Sequence, residues 1–330
     1  MRLREVFVSL ALENGIEKIY APGLKKPDPL AFLASQIASG KMSLYRPKEV
    51  RRLCLTINGG YVEAIPDAYA GINSEKSILD KSDFVEYLSP FPYIVVDCKL
   101  RDIHSEKEIL SLDTQIKKTL SVVRRFMWDE RLVITGFRSE ASAIHYPSTE
   151  DFLTEMNFEK VILLDPNGKD VFQGEKADCY IIGGIVDRSG DKKGTTELIY
   201  RRLAENGFDV ERKRILLRND VVGVPDRINH IAEIVLKCVI DGLNVERAIY
   251  DVQNRKIARW RLRKEIAKNA KRIKVSDRKF RVIGKSFFDE VRNWLKVNED
   301  DFYKCARDMG VMVLGETLTS AKVLKIRGDL

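Results

Sequence analysis

The stretch Tyr180-Ile-Ile-Gly-Gly-Ile-Val-Asp187-Arg188-Ser189-Gly190 decides how this chain is read. An apolar run enters paired glycines, then delivers a carboxylate and a polar, glycine-containing loop. Glycine permits close approach of backbone to backbone or to a ligand. Ligands of open α/β sheets sit beyond the carboxyl ends of the strands. A buried strand with a tight turn would show the same pattern, so the flanking sequence has to discriminate.

Outward from that stretch, apolar strands alternate with amphipathic helices. Tyr93-Ile-Val-Val-Asp97, Leu132-Val-Ile-Thr135, Val161-Ile-Leu-Leu-Asp165 and Arg214-Ile-Leu-Leu217 read as strands beside Tyr180 to Val186. Ser105 to Trp128 reads as a long helix with a capping box formed by Ser105 and Glu108. Further helices are expected at 152–158, at 195–206 closed by Gly207, at 228–243 and at 244–254. Alternation of this kind predicts a parallel α/β sheet. Before it, Leu30 to Ile37 reads as a helix and Leu53 to Ile65, around Asn58-Gly59-Gly60, as a β-hairpin. These segments predict three domains: a small α+β domain at 1–88, the sheet domain at 89–256 and a basic helical domain at 257–330.

Charge is segregated. Between Arg255 and Lys285 lie fourteen Lys/Arg and two acids, a net +12 that leaves the rest of the chain at −4 of the overall +8. A near-neutral body with one intensely basic tract is the footprint of a polyanion binder. Salt-bridged solvated helix faces would alternate sign instead. The five cysteines lack zinc or disulfide spacing. No apolar run approaches the roughly 20 residues of a membrane span, and Glu5 and Glu13-Asn14-Gly15 are foreign to a signal peptide. A cytoplasmic protein that does not engage membranes is expected.

Familiar catalytic kits are missing: there is no GxSxG, HExxH, P-loop or dinucleotide fingerprint, and there are three histidines. What remains are aspartates at strand ends or in glycine/proline loops, Asp97, Asp165, Asp187 and Asp226. Asp165, in Asp-Pro-Asn-Gly, reads as a turn former. Asp187, directly after the paired-glycine strand, reads as chemical. Tyr180, Phe91 and Tyr93 read as core aromatics rather than base-stacking platforms.

Tyr180 to Gly190 resembles the cofactor-loop signature of the tRNA (purine-9 N1)-methyltransferases, a family of SPOUT methyltransferases. Glu108-Ile-Leu-Ser-Leu-Asp-Thr-Gln115 and Leu120-Ser-Val-Val-Arg124-Arg125 are similar to that family's first helix. Arg227-Ile-Asn229-His230-Ile-Ala-Glu233-Ile-Val-Leu is similar to its helix after the knot. The resemblance covers about residues 90 to 255. It implies a SPOUT parallel sheet with a C-terminal trefoil knot, a monomer, and S-adenosylmethionine as methyl donor. The implied cofactor contacts are Leu163, Leu164, Ile182, Gly183, Gly184, Arg188, Ser189, Gly190, Leu216, Leu217, Pro225, Arg227 and Ile228. Ile215-Leu-Leu217 departs from the Leu-Pro pair typical of eukaryotic members. Pro225-Asp226 replaces an apolar pair and resembles archaeal members, and the high charge with only four glutamines fits a thermophile.

The implied reaction is methylation of N1 of the purine at position nine of tRNA, with adenine favoured and guanine a candidate. Asp187 would act as general base on guanine or as electrostatic stabiliser on adenine, with Asp97 and Asp226 as partners. Phosphate contacts are expected from Gln115, Lys117, Lys118, Arg124 and Arg125 on the first helix and from Lys268, Lys271, Arg272 and Lys274 in the tract. The alternatives are a non-catalytic RNA-binding protein and a SPOUT methyltransferase acting on another RNA site.

Overall fold

The computed structural model describes residues 1–21, 24, 26–45, 54–58, 61–62, 69–72, 77–188, 190–275 and 278–315. The chain divides into two compact units, Met1–Arg214 with Arg227–Leu243, and Ile215–Asp226 with Asn244–Leu330.

The first unit opens with α1 (Leu3–Glu13), β1 (Lys18–Tyr20) and α2 (Pro29–Ala38). Asp28 caps α2 by accepting the Ala31 amide at 3.0 Å, and Pro29 fills the first turn, where a missing N–H costs nothing. Strands β2 (Leu44–Tyr45), β3 (Cys54–Thr56), β4 (Tyr61–Val62) and β5 (Tyr69–Ile72) complete a five-stranded sheet of order β2-β5-β1-β3-β4. β3 and β4 pair antiparallel, as the hairpin reading expects; its Gly59-Gly60 turn lies outside the described residues.

After the short α3 (Val85–Leu88) come β6 (Tyr93–Asp97), α4 (Glu106–Phe126), β7 (Leu132–Thr135), β8 (Ile144–Tyr146), α5 (Thr149–Met156), β9 (Val161–Leu164), β10 (Asp170–Val171), β11 (Cys179–Gly183), α6 (Thr195–Glu205), β12 (Glu211–Arg214) and α7 (Ile228–Val239). The seven strands form one sheet of order β10-β12-β9-β11-β6-β7-β8, every pairing parallel. Parallel sheets are covered on both faces, which is why β7 and β9 are apolar and buried throughout. Each fully buried Val, Leu or Ile contributes about 1.5–3 kcal/mol.

The segment before residue 89, expected as a domain of its own, belongs to the same compact unit as this sheet. Helices α1 and α2 pack on α4, and Asp129, after α4, accepts Lys41 Nζ at 2.5 Å and Arg124 Nε at 2.5 Å. The last strand also differs from expectation. It is the charged run Glu211–Arg214 rather than the apolar Ile215-Leu-Leu217. Ion pairs make this affordable: Arg212 reaches Asp165 at 2.6 Å and Lys213 reaches Glu175 at 2.7 Å.

The second unit holds α8 (Val245–Val252), α9 (Arg255–Asn269), β13 (Lys271–Val275), β14 (Arg278–Gly284), α10 (Ser286–Val291), α11 (Glu299–Asp308) and β15 (Val311–Leu314). It is not the helical domain expected. A three-stranded sheet, β13-β14-β15, takes up half of the basic tract. Ile273 is the sole buried position of β13, whose other four residues are exposed. Within this unit the Ile215–Asp226 segment is pinned by buried side chains. Arg261 donates to Val222 O at 2.8 Å, and Gln253 Nε2 donates to Gly223 O at 2.7 Å. Among the described residues no helix is long and apolar enough to cross a membrane.

Candidate active site

The site is built around the end of β11. That strand lies between β9 and β6, with Gly183 in register with Asp97. One residue on, the Gly184 amide donates to Asp97 O at 2.7 Å. A Cβ on Gly184 would lie 2.5 Å from Cys98 Sγ and 2.8 Å from Asp97 O, so only glycine fits. The glycine requirement is therefore met by backbone packing. A Cβ on Gly183 would meet only the ends of Ile185 and Ile199, at 3.2 and 3.3 Å.

Beyond Gly184 the chain is held from α4 and the turn before it. Val186 N donates to His104 Nε2 at 2.9 Å. An amide can only donate, so Nε2 is the lone-pair nitrogen and the ring proton sits on Nδ1, facing Arg101 O at 2.9 Å. Glu108 Oε1 accepts the Arg188 amide at 3.1 Å and Lys192 Nζ at 2.9 Å. Its other oxygen accepts the Ser105 amide at 2.9 Å, the capping-box contact expected of this pair. The amides of Arg188 and Ser105 and the Lys192 ammonium hold the Glu108 carboxyl well below the usual carboxylate range. One residue thus caps a helix and latches the loop that follows β11.

Asp187 sits between the two latched positions and is exposed. Its Oδ1 accepts the Gly190 amide at 2.7 Å and Oδ2 the Lys192 amide at 3.1 Å. Partial desolvation pushes its carboxyl up, but the two amides and the Lys192 charge outweigh it, and the net shift is downward. The group is ionised through the neutral range and is a weak base.

The other expected residues separate clearly. Asp97 is a correction: it is 1% exposed and engaged by Arg202, the Lys99 amide and Thr149 Oγ1. With its oxygens committed to an ion pair and two hydrogen bonds, it braces the sheet rather than tuning Asp187. Asp165 accepts the Asn167 amide at 2.9 Å, the turn-forming role expected of it. Gln115, expected at phosphate, is buried and accepts the Ile228 amide at 3.0 Å. Arg124 is likewise taken up by Asp129. Arg125 pairs with Glu233 at 2.8 Å and Lys117 with Glu140 at 2.8 Å.

Leu163, Leu164 and Ile182 are buried at the strand ends, and Ile228 is buried at the start of α7. Arg188, Gly190 and Arg227 are exposed, and Ser189 lies outside the described residues. Leu216, Leu217, Pro225 and Asp226 belong to the second unit; Leu217 and Pro225 are buried there and Asp226 is exposed. Lys268 approaches Glu265 at 3.5 Å, while Lys271, Arg272 and Lys274 are exposed on β13. Sequence reasoning missed the positioning roles of His104 and Lys192.

The register of the C-terminal hairpin sets like charges opposite one another. Arg272 pairs with Arg281 and Lys274 with Lys279, four cations on one face. Directly opposed like charges destabilise a sheet by roughly 0.2–1 kcal/mol per pair, a cost that a polyanion would offset.

A parallel sheet whose central strand ends in a glycine-gated, carboxylate-bearing loop defines an α/β protein with its candidate site at the strand C-termini. The chain belongs to the tRNA (guanine(9)-/adenine(9)-N1)-methyltransferase family. The family model for tRNA (guanine(9)-N(1))-methyltransferase TRM10/TRM10A matches residues 89–256, and the model for the tRNA (guanine(9)-/adenine(9)-N1)-methyltransferase C domain matches 259–326. The chain is 34% identical to a Thermococcus kodakarensis tRNA (guanine(9)-/adenine(9)-N1)-methyltransferase, over 94% of this chain and 89% of that one. It is 30% identical to a Sulfolobus acidocaldarius tRNA (adenine(9)-N1)-methyltransferase over 51% of this chain and 57% of that one. The crystal structure of Sulfolobus acidocaldarius Trm10 in complex with S-adenosylhomocysteine shares the fold, with a TM-score of 0.66 at 22% identity over 94% of this chain and all of that one.

Proposed function

We propose that this chain transfers a methyl group from S-adenosylmethionine to N1 of the purine at position nine of tRNA, with adenine favoured and guanine also accepted. Family membership carries this reading, through the 34% identical relative that is named for both bases. When bound, S-adenosylmethionine supplies an electrophilic methyl group on a cationic sulfonium. The chain's residues suit it: the loop after Gly183 follows the buried apolar strand ends of Leu163, Leu164 and Ile182, and Asp187 offers an ionised, exposed carboxylate.

Adenine N1 presents a lone pair, and its methylated product is cationic. Asp187 then stabilises developing positive charge. Guanine N1 carries a proton that has to leave, and a carboxylate with a lowered pKa takes it poorly. We extend the reading to a C-terminal trefoil knot, which the insertion of β11 between the earlier strands β9 and β6 supports. We further propose a cytoplasmic monomer, as the family resemblance implies, to be checked by sedimentation.

The deciding experiment incubates the protein with unmodified tRNAs carrying A or G at position nine, then digests them and identifies the methylated nucleoside by mass spectrometry. Methylation elsewhere, or none, would overturn the assignment. Asp187→Asn separates the roles. On guanine, loss of a general base costs on the order of 10²–10⁴ in rate and leaves activity that rises with pH. On adenine the loss is smaller and the profile flat. Wild-type rates on both bases would remove Asp187 from the mechanism.

A further inference from the structure

We infer that Arg261 is a positioning residue for cofactor binding. From α9 it clamps the backbone of the loop Ile215–Asp226, in which the family resemblance assigns Leu216, Leu217 and Pro225 to the cofactor. This inference deepens the proposed function and rests on it.

The backbone of this loop is costly to hold. Arg218 and Asn219 both have positive φ, at 48° and 62°, left-handed values that side chains bearing a Cβ adopt unfavourably. They form a tight turn in which the Leu217 amide donates to Asp220 O at 2.8 Å and the Asp220 amide donates to Leu217 O at 3.2 Å. Gly223 follows at a φ of 99°. A Cβ there would lie 2.9 Å from Arg261 Cβ and 3.1 Å from Leu217 Cδ2. The arginine, the glycine and a leucine assigned to the cofactor therefore meet at one point.

Buried donors from the helices of the same unit tie the loop down. Arg261 is 1% exposed, and its Nη1 donates to Val222 O at 2.8 Å. Gln253 is equally buried; its Nε2 donates to Gly223 O at 2.7 Å while its Oε1 accepts the Lys296 amide at 3.1 Å. Two consecutive loop carbonyls are thus held by side chains that are themselves fixed. Asp220 adds an ionic tie, with Arg261 Nη1 at 3.4 Å, Lys264 Nζ at 2.5 Å and Lys268 Nζ at 3.7 Å. Those three cations follow one another by three and four residues, so they share one face of α9. Part of the basic tract therefore serves the loop. An untied loop populates several arrangements, and its apparent affinity for a ligand falls with the fraction that is competent to bind.

The test is Arg261→Met in the full chain, with Arg261→Lys and Asp220→Asn beside it. Calorimetric affinity for S-adenosylmethionine, tRNA affinity and amide hydrogen exchange across 216–224 are measured well below the melting transition. Arg261→Met should weaken S-adenosylmethionine binding by about tenfold or more, speed exchange in the loop and leave tRNA affinity unchanged. Arg261→Lys, which keeps a charged donor for Val222 O, should recover both cofactor affinity and slow exchange. Asp220→Asn keeps an acceptor for the Val222 amide but loses the ion pairs, and should shift both readouts in the same direction by less. It judges the inference if Arg261→Met does not fold, and wild-type values in it would then overturn the clamp. Wild-type cofactor affinity in Arg261→Met despite faster exchange would overturn the positioning role. Unchanged exchange in the folded variant would overturn the clamp itself. If the wild-type protein binds no S-adenosylmethionine, the functional reading and the positioning role fall together, while exchange alone still judges the clamp.

Discussion

Replacing Gly184 by alanine should damage the first unit far more than the same change one residue earlier. The new methyl group would stand 2.8 Å from Asp97 O and 2.5 Å from Cys98 Sγ. Neither can retreat cheaply. Asp97 O belongs to β6, which is paired on both sides, and Cys98 is buried with its amide held by Thr135 O at 2.9 Å. Relief requires the end of β11 to move away, which sacrifices the Gly184–Asp97 hydrogen bond at 2.7 Å. Overpacking costs about 1–3 kcal/mol, and a buried amide left without a partner costs about another 1–3 kcal/mol. The sum, roughly 2–6 kcal/mol, corresponds to a Tm lower by about 4–24 °C for a unit of this size. Gly183→Ala meets only two flexible isoleucine ends, at 3.2 and 3.3 Å, and should stay within about 1 kcal/mol of wild type. Thermal unfolding by circular dichroism, with both variants measured in the same buffer, decides the matter. Equal melting of Gly184→Ala and wild type, or equal losses in the two variants, would refute the reasoning. It would mean that the paired glycines are spared for a ligand rather than for the sheet.

Asp97→Asn should lower stability by about 1–3 kcal/mol, because a neutral amide replaces a buried carboxylate that accepts from Thr149 Oγ1, the Lys99 amide and Arg202, while Arg202 keeps Glu150 as a partner; turnover per folded molecule, measured well below the melting transition, should survive. In the C-terminal hairpin, Arg272→Gln/Lys279→Gln should relieve the facing like charges and raise that unit's Tm slightly while flattening the salt dependence of tRNA binding. Asp129 tests acid linkage. Burial pushes its carboxyl up, but the hydrogen bonds from Arg124 and Lys41 outweigh that, so its folded-state pKa is lowered. Its contribution is full above the ordinary carboxylate value of about 4 and disappears as pH falls through the lowered one. Asp129→Asn should therefore depress the Tm at pH 7 and converge on wild type under strongly acidic conditions.

The strands legible in the sequence were those buried on both faces. Tyr93–Asp97, Leu132–Thr135 and Val161–Leu164 are continuous apolar runs, and a parallel sheet leaves them no other place. The same rule misled at the end of the sheet. Ile215-Leu-Leu217 is the more strand-like string, yet Glu211–Arg214 makes the pairings, because Asp165 and Glu175 supply counter-charges from distant positions. Hydrophobic periodicity carries no information about a carboxylate 47 residues away in the chain. The C-terminal unit failed for a related reason. Its high charge leaves a strand in which Ile273 is the only buried residue of β13, too little apolar patterning to mark it.

The candidate site divides along a similar line. The placement of Asp187 was legible, because its position after a glycine-terminated strand is itself the signal. The roles of its neighbours depend on which side chain meets which amide. Glu108 reads as a helix cap and is one, but its second oxygen latches the loop that carries Asp187. Gln115 reads as a polar surface residue, yet it is spent on the first amide of α7. The cations of α4 look equivalent in the sequence. Partner carboxylates sort them, since Asp129, Glu140 and Glu233 neutralise Arg124, Lys117 and Arg125 and leave Lys118 lining a concavity with Lys107. Counting basic residues therefore overstates the surface available to RNA. What an anion meets on α4 is the charge that has no partner carboxylate among the described residues, Lys107 and Lys118 beside Arg188 and Arg227.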